Sequence, residues 1–276
     1  KGKRGQRQRC IREREEMDEA YVVREAAEKV VHDELFVDPK TQTARGVDMA
    51  KVVNGLHRAC VEAQGRFGIS ASLILCFLRH RSEEAAFEPL EQALPFRDTL
   101  VGVRLDSSEL GHPPEKFAQV FARCRALGLH VVAHAGEEGP PAYIWAALDV
   151  LKAERIDHGV QAVHDAALMQ RLAQDRIPLT VCPLSNQKLC VFPDLRDHNL
   201  AALLDAGLVA TVNSDDPAYF GGYMNENFLQ TFAATQMTAQ HAYTLACNSF
   251  EASFIDASAK RAYRDRVDAA FASFGG

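Results

Sequence analysis

Several features that mark other classes of protein are missing from this chain of 276 residues. No apolar run approaches the roughly 18 residues that a helix needs to cross a bilayer. Basic residues are not in excess, since 31 Lys and Arg stand against 37 Asp and Glu and give a formal net charge of −6. We therefore expect neither a membrane partner nor a dedicated nucleic-acid surface, and one domain is the simplest interpretation of the length.

A cysteine framework is also missing. The seven cysteines are scattered and mostly embedded in apolar segments, and no C-x-x-C pair occurs. This pattern is typical of buried thiols in a reducing compartment and not of a disulfide scaffold or a zinc ribbon. A cytoplasmic location is the resulting prediction.

The first sixteen residues carry seven basic side chains and have almost no apolar content. They lack the apolar h-region of a secretory signal, and three glutamates argue against a transit peptide. We interpret residues 1–16 as a solvated or disordered end without an assigned role, with a nucleic-acid-binding arm as the less favoured alternative. Residues 17–276 are predicted to form the folded domain, with helices at its C-terminal end.

From about residue 17, short apolar or β-branched runs alternate with longer segments of helical period. Such alternation predicts a parallel sheet covered by helices. Several runs are apolar on both faces, as expected of strands that are buried on both sides. The predicted strands are 30–37, 69–78, 100–105, 129–135, 155–160, 178–183 and 208–214.

Two architectures fit this pattern, an open doubly wound sheet and a closed (β/α)₈ barrel. An open sheet usually carries a phosphate-binding loop, but neither G-x-G-x-x-G nor a Walker A sequence occurs. Polar residues instead follow many different strands, which is how a barrel builds its site. A complete barrel needs eight strands and only seven are predicted, so the expected fold class is α/β, an incomplete TIM (β/α)₈ barrel.

The polar residues at these strand ends include His134, Glu137, His158, Asp215 and Asp216. A lone histidine there is more often hydrogen-bonded or exposed than a ligand, and an Asp before Pro is usually a turn residue. Their joint occurrence favours function, because a packed core does not need charge and burying it unpaired is costly. Imidazole and carboxylate groups are normal ligands of a catalytic zinc ion, which lowers the pKa of water from about 15.7 to about 7.

Four motifs carry a resemblance to a known family: HAGEE at 134–138, RIDHG at 155–159, CPLSN at 182–186 and NSDDP at 213–217. In this order on successive strands, they resemble the adenosine/adenine deaminase family of metal-dependent amidohydrolases, over about residues 17–257. Segments 106–114, 139–141 and 216–223 are more similar to the adenine-specific branch. Adenosine deaminases typically place Gly where this chain has Ser107.

The resemblance implies a role for each site residue. His134 and Asp215 are similar to ligands of one Zn²⁺ ion per chain. Glu137 is similar to the acid that protonates the purine nitrogen N1, and His158 to the group that orients and deprotonates the attacking water. The resemblance also implies two residues that contact the purine ring of the substrate. Asp216 is similar to the hydrogen-bond partner of its imidazole edge, and Ser107 to a residue that lines its pocket.

One element of the family pattern is absent. The family's first strand ends in H-x-H, whose histidines bind the metal, and no H-x-H occurs in these 276 residues. We therefore expect that the first strand and two metal ligands are missing from this chain, and that metal binding is weakened. Seven of the eight remaining histidines, among them His198, are interpreted as unrelated to the site, and the role of His32, inside the predicted strand 30–37, is left open.

The predicted reaction is the hydrolytic deamination of adenine to hypoxanthine and ammonia. Adenosine or an N6-substituted adenine is the alternative substrate. An inactive fragment that binds only purine or a partner subunit is the alternative from another class. The expected partner is a small purine, and whether the chain forms a homo-oligomer is left open.

Overall fold

The computed structural model describes residues 21–274, so that the basic segment 1–16 lies outside the described residues. The chain divides into two compact units. Within the described residues, the first comprises 21–108 and 116–131, and the second comprises 109–115 and 132–274. The prediction of a single domain from residue 17 onward stays a prediction.

The first unit is built on three parallel strands, β1 (His32–Val37), β2 (Ser70–Leu78) and β3 (Leu100–Asp106), paired in that order. Successive side chains of a strand point to opposite faces of the sheet. Residues 73–77 of β2 are all buried, so this strand is covered on both faces, as its unbroken apolar run predicts.

Helices pack against these strands in the first unit. The longest, α3, begins at the N-cap Asp48, whose side chain accepts a hydrogen bond from the Ala50 N–H at 2.8 Å. It ends at Gly68, which adopts the left-handed conformation with φ 73°. Its apolar face packs on Val37 and Leu73 of the sheet. The helices of this unit are α1 (described over 21–27), α2 (Lys40–Thr43), α3 (Met49–Phe67), α4 (Glu84–Ala93) and α5 (Ala118–Ala126).

The second unit holds four parallel strands, again in chain order. They are β4 (His130–Ala135, which belongs to this unit from Val132), β5 (Arg155–His158), β6 (Leu179–Val181) and β7 (Ala210–Val212). Because parallel strands share one direction, their carboxyl ends lie at the same edge. The motif residues follow at that edge.

The helices of the second unit follow its strands, and all except the last, in which no residue is buried, bury part of their surface. Met224–Thr235 and Ala239–Ala252 are separate helices, because Gln236 adopts a left-handed conformation and Thr238 caps the second of them. Of the described residues, no helix combines the length and apolarity needed to cross a bilayer. The helices are α6 (Pro141–Ala146), α7 (Ala166–Gln174), α8 (Pro183–Lys188), α9 (Leu200–Asp205), α10 (Pro217–Phe220), α11 (Met224–Thr235), α12 (Ala239–Ala252) and α13 (Ala257–Phe274).

The predicted fold class is confirmed. All seven predicted strands are present, and both units repeat the βα order of an incomplete TIM barrel. The differences lie mainly at the carboxyl ends of the last three strands, where the prediction runs too long. β5 ends at His158 because that residue turns into the left-handed region with φ 63°, which no strand can continue through.

Candidate active site

The predicted acid lies between the two predicted histidines. The Oε2 atom of Glu137 is 3.4 Å from Nε2 of His134, and its Oε1 atom is 3.2 Å from Nδ1 of His158. The two imidazole rings are 4.6 Å apart between centroids. The register of β4 and β5 explains this convergence, since Ala135 lies opposite His158.

The backbone is strained at two of the predicted site residues. His158 and Asp215 have φ values of 63° and 59°, in the left-handed region that L-residues rarely adopt. Such a conformation costs on the order of 1–3 kcal/mol and is concentrated at functional sites. Gly136 also has a positive φ, and a Cβ atom there would lie 2.4 Å from Cδ1 of Ile144. The loop after β4 therefore requires its glycine for both conformation and space.

Asp215 joins the same cluster through His158. Ligand atoms of His158, Cys182 and Asp215 lie within 4.8 Å of one another, as do those of His134, Glu137 and His158. Ser185 donates a hydrogen bond to Oδ2 of Asp215 at 2.6 Å and fixes that carboxylate. The predicted ligands His134 and Asp215 thus belong to two overlapping groups that share His158. Imidazole and carboxylate donors at this spacing fit a divalent cation.

Glu137 is 3% exposed, and the burial of its carboxyl group raises the pKa of that group above the usual value. The neighbouring charge of His158 and a hydrogen bond from Asn186 lower the pKa, while the charges of Asp215 and Glu109 raise it. Desolvation is the largest of these effects, so the protonated form persists to a higher pH than in water. A carboxyl group with this property can act as a general acid.

Two residues of the site were not predicted from the sequence. Asn186 donates from Nδ2 to Oε1 of Glu137 at 2.7 Å, and the same nitrogen is 3.2 Å from Nδ1 of His158. His198 contacts Oδ1 of Asn186 through Nε2 at 3.3 Å, while its Nδ1 accepts the Leu200 N–H at 3.1 Å. Burial lowers the pKa of His198 to about 4, so the ring is neutral and carries its proton on Nε2. This chain of hydrogen bonds fixes the orientation of the Asn186 amide.

Asn186 belongs to the CPLSN motif, but nothing in that motif separates it from an ordinary helix residue. His198 offered no signal, since it lies beyond the motif and its burial is decided by tertiary packing. Glu109 follows a predicted strand and was visible in the sequence, although no role was assigned to it. It is 1% exposed, and its Oε2 atom is 3.8 Å from Nε2 of His134.

The two residues predicted to contact the purine ring, Asp216 and Ser107, have other partners in the structure. Asp216 is exposed and its side chain accepts the Tyr219 N–H at 3.2 Å, which makes it the N-cap of α10. Ser107 lies in the first unit, where its Oγ is 2.7 Å from Nδ1 of His80. The structure brings neither into a described contact with the Glu137 cluster, and their roles at the base stay predictions.

Comparison with known proteins identifies relatives along most of the chain. Residues 6–270 match the family model described as adenosine deaminase. The adenine deaminase of Albidiferax ferrireducens is 69% identical over 259 residues, which cover 94% of this chain and 75% of that protein. The crystal structure of adenine deaminase from Arthrobacter aurescens has a TM-score of 0.90 at 45% identity, over 92% of this chain and 78% of that one. An amidohydrolase from Burkhoderia ambifaria with bound Zn has a TM-score of 0.89 at 26% identity, over 95% and 73%.

Proposed function

This chain belongs to the adenosine deaminase family, and from that premise we propose that it deaminates adenine hydrolytically. Water oxygen bonds to C6 of adenine, the bond from C6 to the exocyclic nitrogen breaks, and the products are hypoxanthine and ammonia. The observation that carries the proposal is the buried Glu137 carboxyl group held between His134 and His158, in a chain so similar to an adenine deaminase.

Glu137 is the proposed acid. Addition of water at C6 requires the ring nitrogen N1 to accept a proton, and a carboxyl group whose pKa is raised is a better proton donor than an ordinary carboxylate. Burial of Glu137 supports this role, since it raises the pKa of the carboxyl group. Asn186 and the two imidazoles hold the carboxyl group in place from different directions.

His158 is the proposed base. It is buried, and its strained backbone aims the ring at the same space as Asp215. An imidazole in this position can take a proton from the attacking water and return it to the departing amine. Asp216 is proposed to bind the imidazole edge of the purine. Its carboxylate would then contact the purine in addition to accepting the Tyr219 N–H.

His134 and Asp215 are proposed to hold one Zn²⁺ ion per chain. When bound, such an ion would acidify water and stabilise negative charge on the oxygen that adds to C6. The donor set supports a divalent cation, and the Burkhoderia ambifaria amidohydrolase holds zinc. A cytoplasmic location and any homo-oligomer stay predictions.

The experiment is a substrate comparison. Purified chain supplied with Zn²⁺ is assayed for ammonia release and ultraviolet change with adenine, adenosine and N6-methyladenine. We expect the highest kcat/KM with adenine. A higher kcat/KM with adenosine or N6-methyladenine would show that adenine is not the preferred substrate. Purine binding without ammonia from any of the three would contradict the enzymatic proposal.

A further inference from the structure

We propose that Glu109 is a positioning residue of the active site. Its buried carboxylate holds the backbone of the loop 136–139 and thereby places Glu137 between His134 and His158. The consequence for catalysis rests on the proposed function, whereas the effect on the loop stands on the contacts alone.

The carboxylate of Glu109 accepts hydrogen bonds from successive backbone amides. Oε1 accepts the Gly136 N–H, and Oε2 accepts the N–H groups of Glu137, Glu138 and Gly139 at 3.0, 2.9 and 2.9 Å. Successive amides that point inward form an anion-binding concavity. Here the anion is a side chain that follows β3, with 1% of its surface exposed.

Both oxygens of Glu109 serve as acceptors, which only a carboxylate can provide. A glutamine of the same shape would keep one carbonyl oxygen and direct an NH₂ group at backbone donors on the other side. The amides on that side would lose their acceptor, and those that are buried would be left without a hydrogen bond. Shape alone therefore cannot substitute for Glu109.

Gly139 supplies an independent observation. A Cβ atom at this position would lie 2.6 Å from Oε1 and 2.7 Å from Cδ of Glu109. The missing side chain thus leaves the space that the carboxylate fills. The loop therefore fits Glu109 in two ways: it has no side chain at Gly139, and its backbone amides point at the carboxylate.

The position of Glu137 is consequently set at both ends of the residue. Glu109 holds its N–H, Gln161 donates to its carbonyl oxygen at 3.0 Å, and Asn186 holds its carboxyl group. A catalytic group displaced by about 1 Å can lose about 10²-fold in rate. Loss of the Glu109 contacts should therefore lower kcat far more than it raises KM, because the proton transfer occurs in the transition state.

The test compares four variants with the wild-type chain by two readouts. Glu109→Gln keeps shape but not both acceptors, Glu109→Asp keeps the carboxylate, and Gly139→Ala displaces an intact Glu109. Glu115→Gln removes an exposed carboxylate from the same unit as the matched control. The readouts are amide hydrogen exchange of the peptide that covers 136–139 and kcat and KM for adenine.

We expect faster exchange at 136–139 and a kcat loss of about 10²-fold in Glu109→Gln and Gly139→Ala, with KM within about threefold. Glu109→Asp should recover part of both, and Glu115→Gln should match the wild type. If Glu109→Gln unfolds, Gly139→Ala decides. Unchanged exchange and kcat in the folded variants, or equal losses in Glu109→Gln and Glu109→Asp, would overturn the proposal. A wild type that releases no ammonia would refute the proposed function, and the exchange data would still decide the role of Glu109.

Discussion

At the scale of single residues, the site depends on which groups face the Glu137 carboxyl group. Asn186 presents an N–H donor to Oε1, and His198 fixes that orientation from behind. Both contacts join residues that are distant in the chain. The chemistry of Glu137 is therefore controlled by partners that its own loop does not supply.

Replacement of Glu137 is the direct test of the acid. Glu137→Gln keeps the size of the side chain but cannot transfer a proton, and we expect kcat to fall by about 10²–10⁴-fold. Stopped assays with adenine over a pH series measure the loss. Because burial raises the pKa of Glu137, wild-type activity should decline as the pH rises through that pKa. The exposed neighbour serves as the control in Glu138→Gln, and equal losses in both variants would contradict the assignment.

Replacement of Asn186 tests the orientation of the acid. Asn186→Asp places a second acceptor 2.7 Å from Oε1 of Glu137, where the structure has a donor. Two facing carboxyl groups raise each other's pKa and repel once ionised. We expect kcat/KM to fall by about 10²-fold, and more than in Asn186→Ala, which removes the donor without adding an acceptor. The same kinetic assay measures both, and a smaller loss in Asn186→Asp would exclude an electrostatic role.

At the scale of elements, Asp165 joins two helices. Its Oδ1 atom caps α7 by accepting the N–H groups of Ala167 and Leu168, and its Oδ2 atom accepts the Trp145 indole N–H at 2.8 Å. The Trp145 hydrogen bond is the main reason that the pKa of Asp165 is lowered. The stability that it contributes is present above the unfolded pKa and is lost as the pH falls through the folded value.

Asp165→Ala should lower the melting temperature at pH 7 and shift the emission of Trp145, the only tryptophan of the chain. Asp165→Asn retains an acceptor for the cap and should lose less stability. Thermal melts followed by tryptophan fluorescence at pH 7 and pH 3 measure both effects. The difference between wild type and Asp165→Ala should shrink at pH 3, and a constant difference would show that the charge of Asp165 is irrelevant.

The carboxyl group of Asp33 in β1 influences the titration of Glu25 in α1. Burial, followed by the charges of Asp33 and Glu28, raises the pKa of Glu25 to about 8. Oε1 of Glu25 has no hydrogen-bond partner among the described residues. The unfolded chain releases this proton near pH 4.5 whereas the folded chain keeps it to about pH 8, so stability falls as the pH rises between these values.

Glu25→Gln removes this titration. We expect the variant to be more stable than wild type at pH 7, by on the order of 1–3 kcal/mol, because a neutral amide takes the place of a carboxyl group that the unfolded state ionises. The advantage should shrink toward pH 4.5. Urea unfolding at pH 5 and pH 7 measures it, with the exposed Glu115→Gln as control. A variant less stable than wild type at pH 7 would contradict the assignment.

At the scale of the whole molecule, the order of strands and helices follows from the sequence because β2 and β4 each contain a run of buried apolar residues, 73–77 and 131–133. His134, Glu137 and His158 were predictable together, since parallel strands bring their carboxyl ends to one edge. The contacts of Glu109, Asn186 and His198 were not, because each joins residues of different loops. Asp216 was predicted to bind the purine, but the sequence could not separate that role from helix capping, because an aspartate before proline is also a common N-cap. In the structure Asp216 caps α10.

A bound cation should stabilise the whole fold by mass action, because a ligand held only by the folded state contributes about 2.7 kcal/mol at one hundred times its Kd. We expect Zn²⁺ to raise the melting temperature of the wild-type chain and a chelator to reverse the shift. Combined replacement His134→Ala and Asp215→Ala should abolish the response, while His57→Ala, which removes an exposed imidazole from α3, should retain it. Metal analysis after dialysis counts the ions directly. A Zn²⁺ response that survives the double replacement would place the cation elsewhere and separate His134 and Asp215 from metal binding.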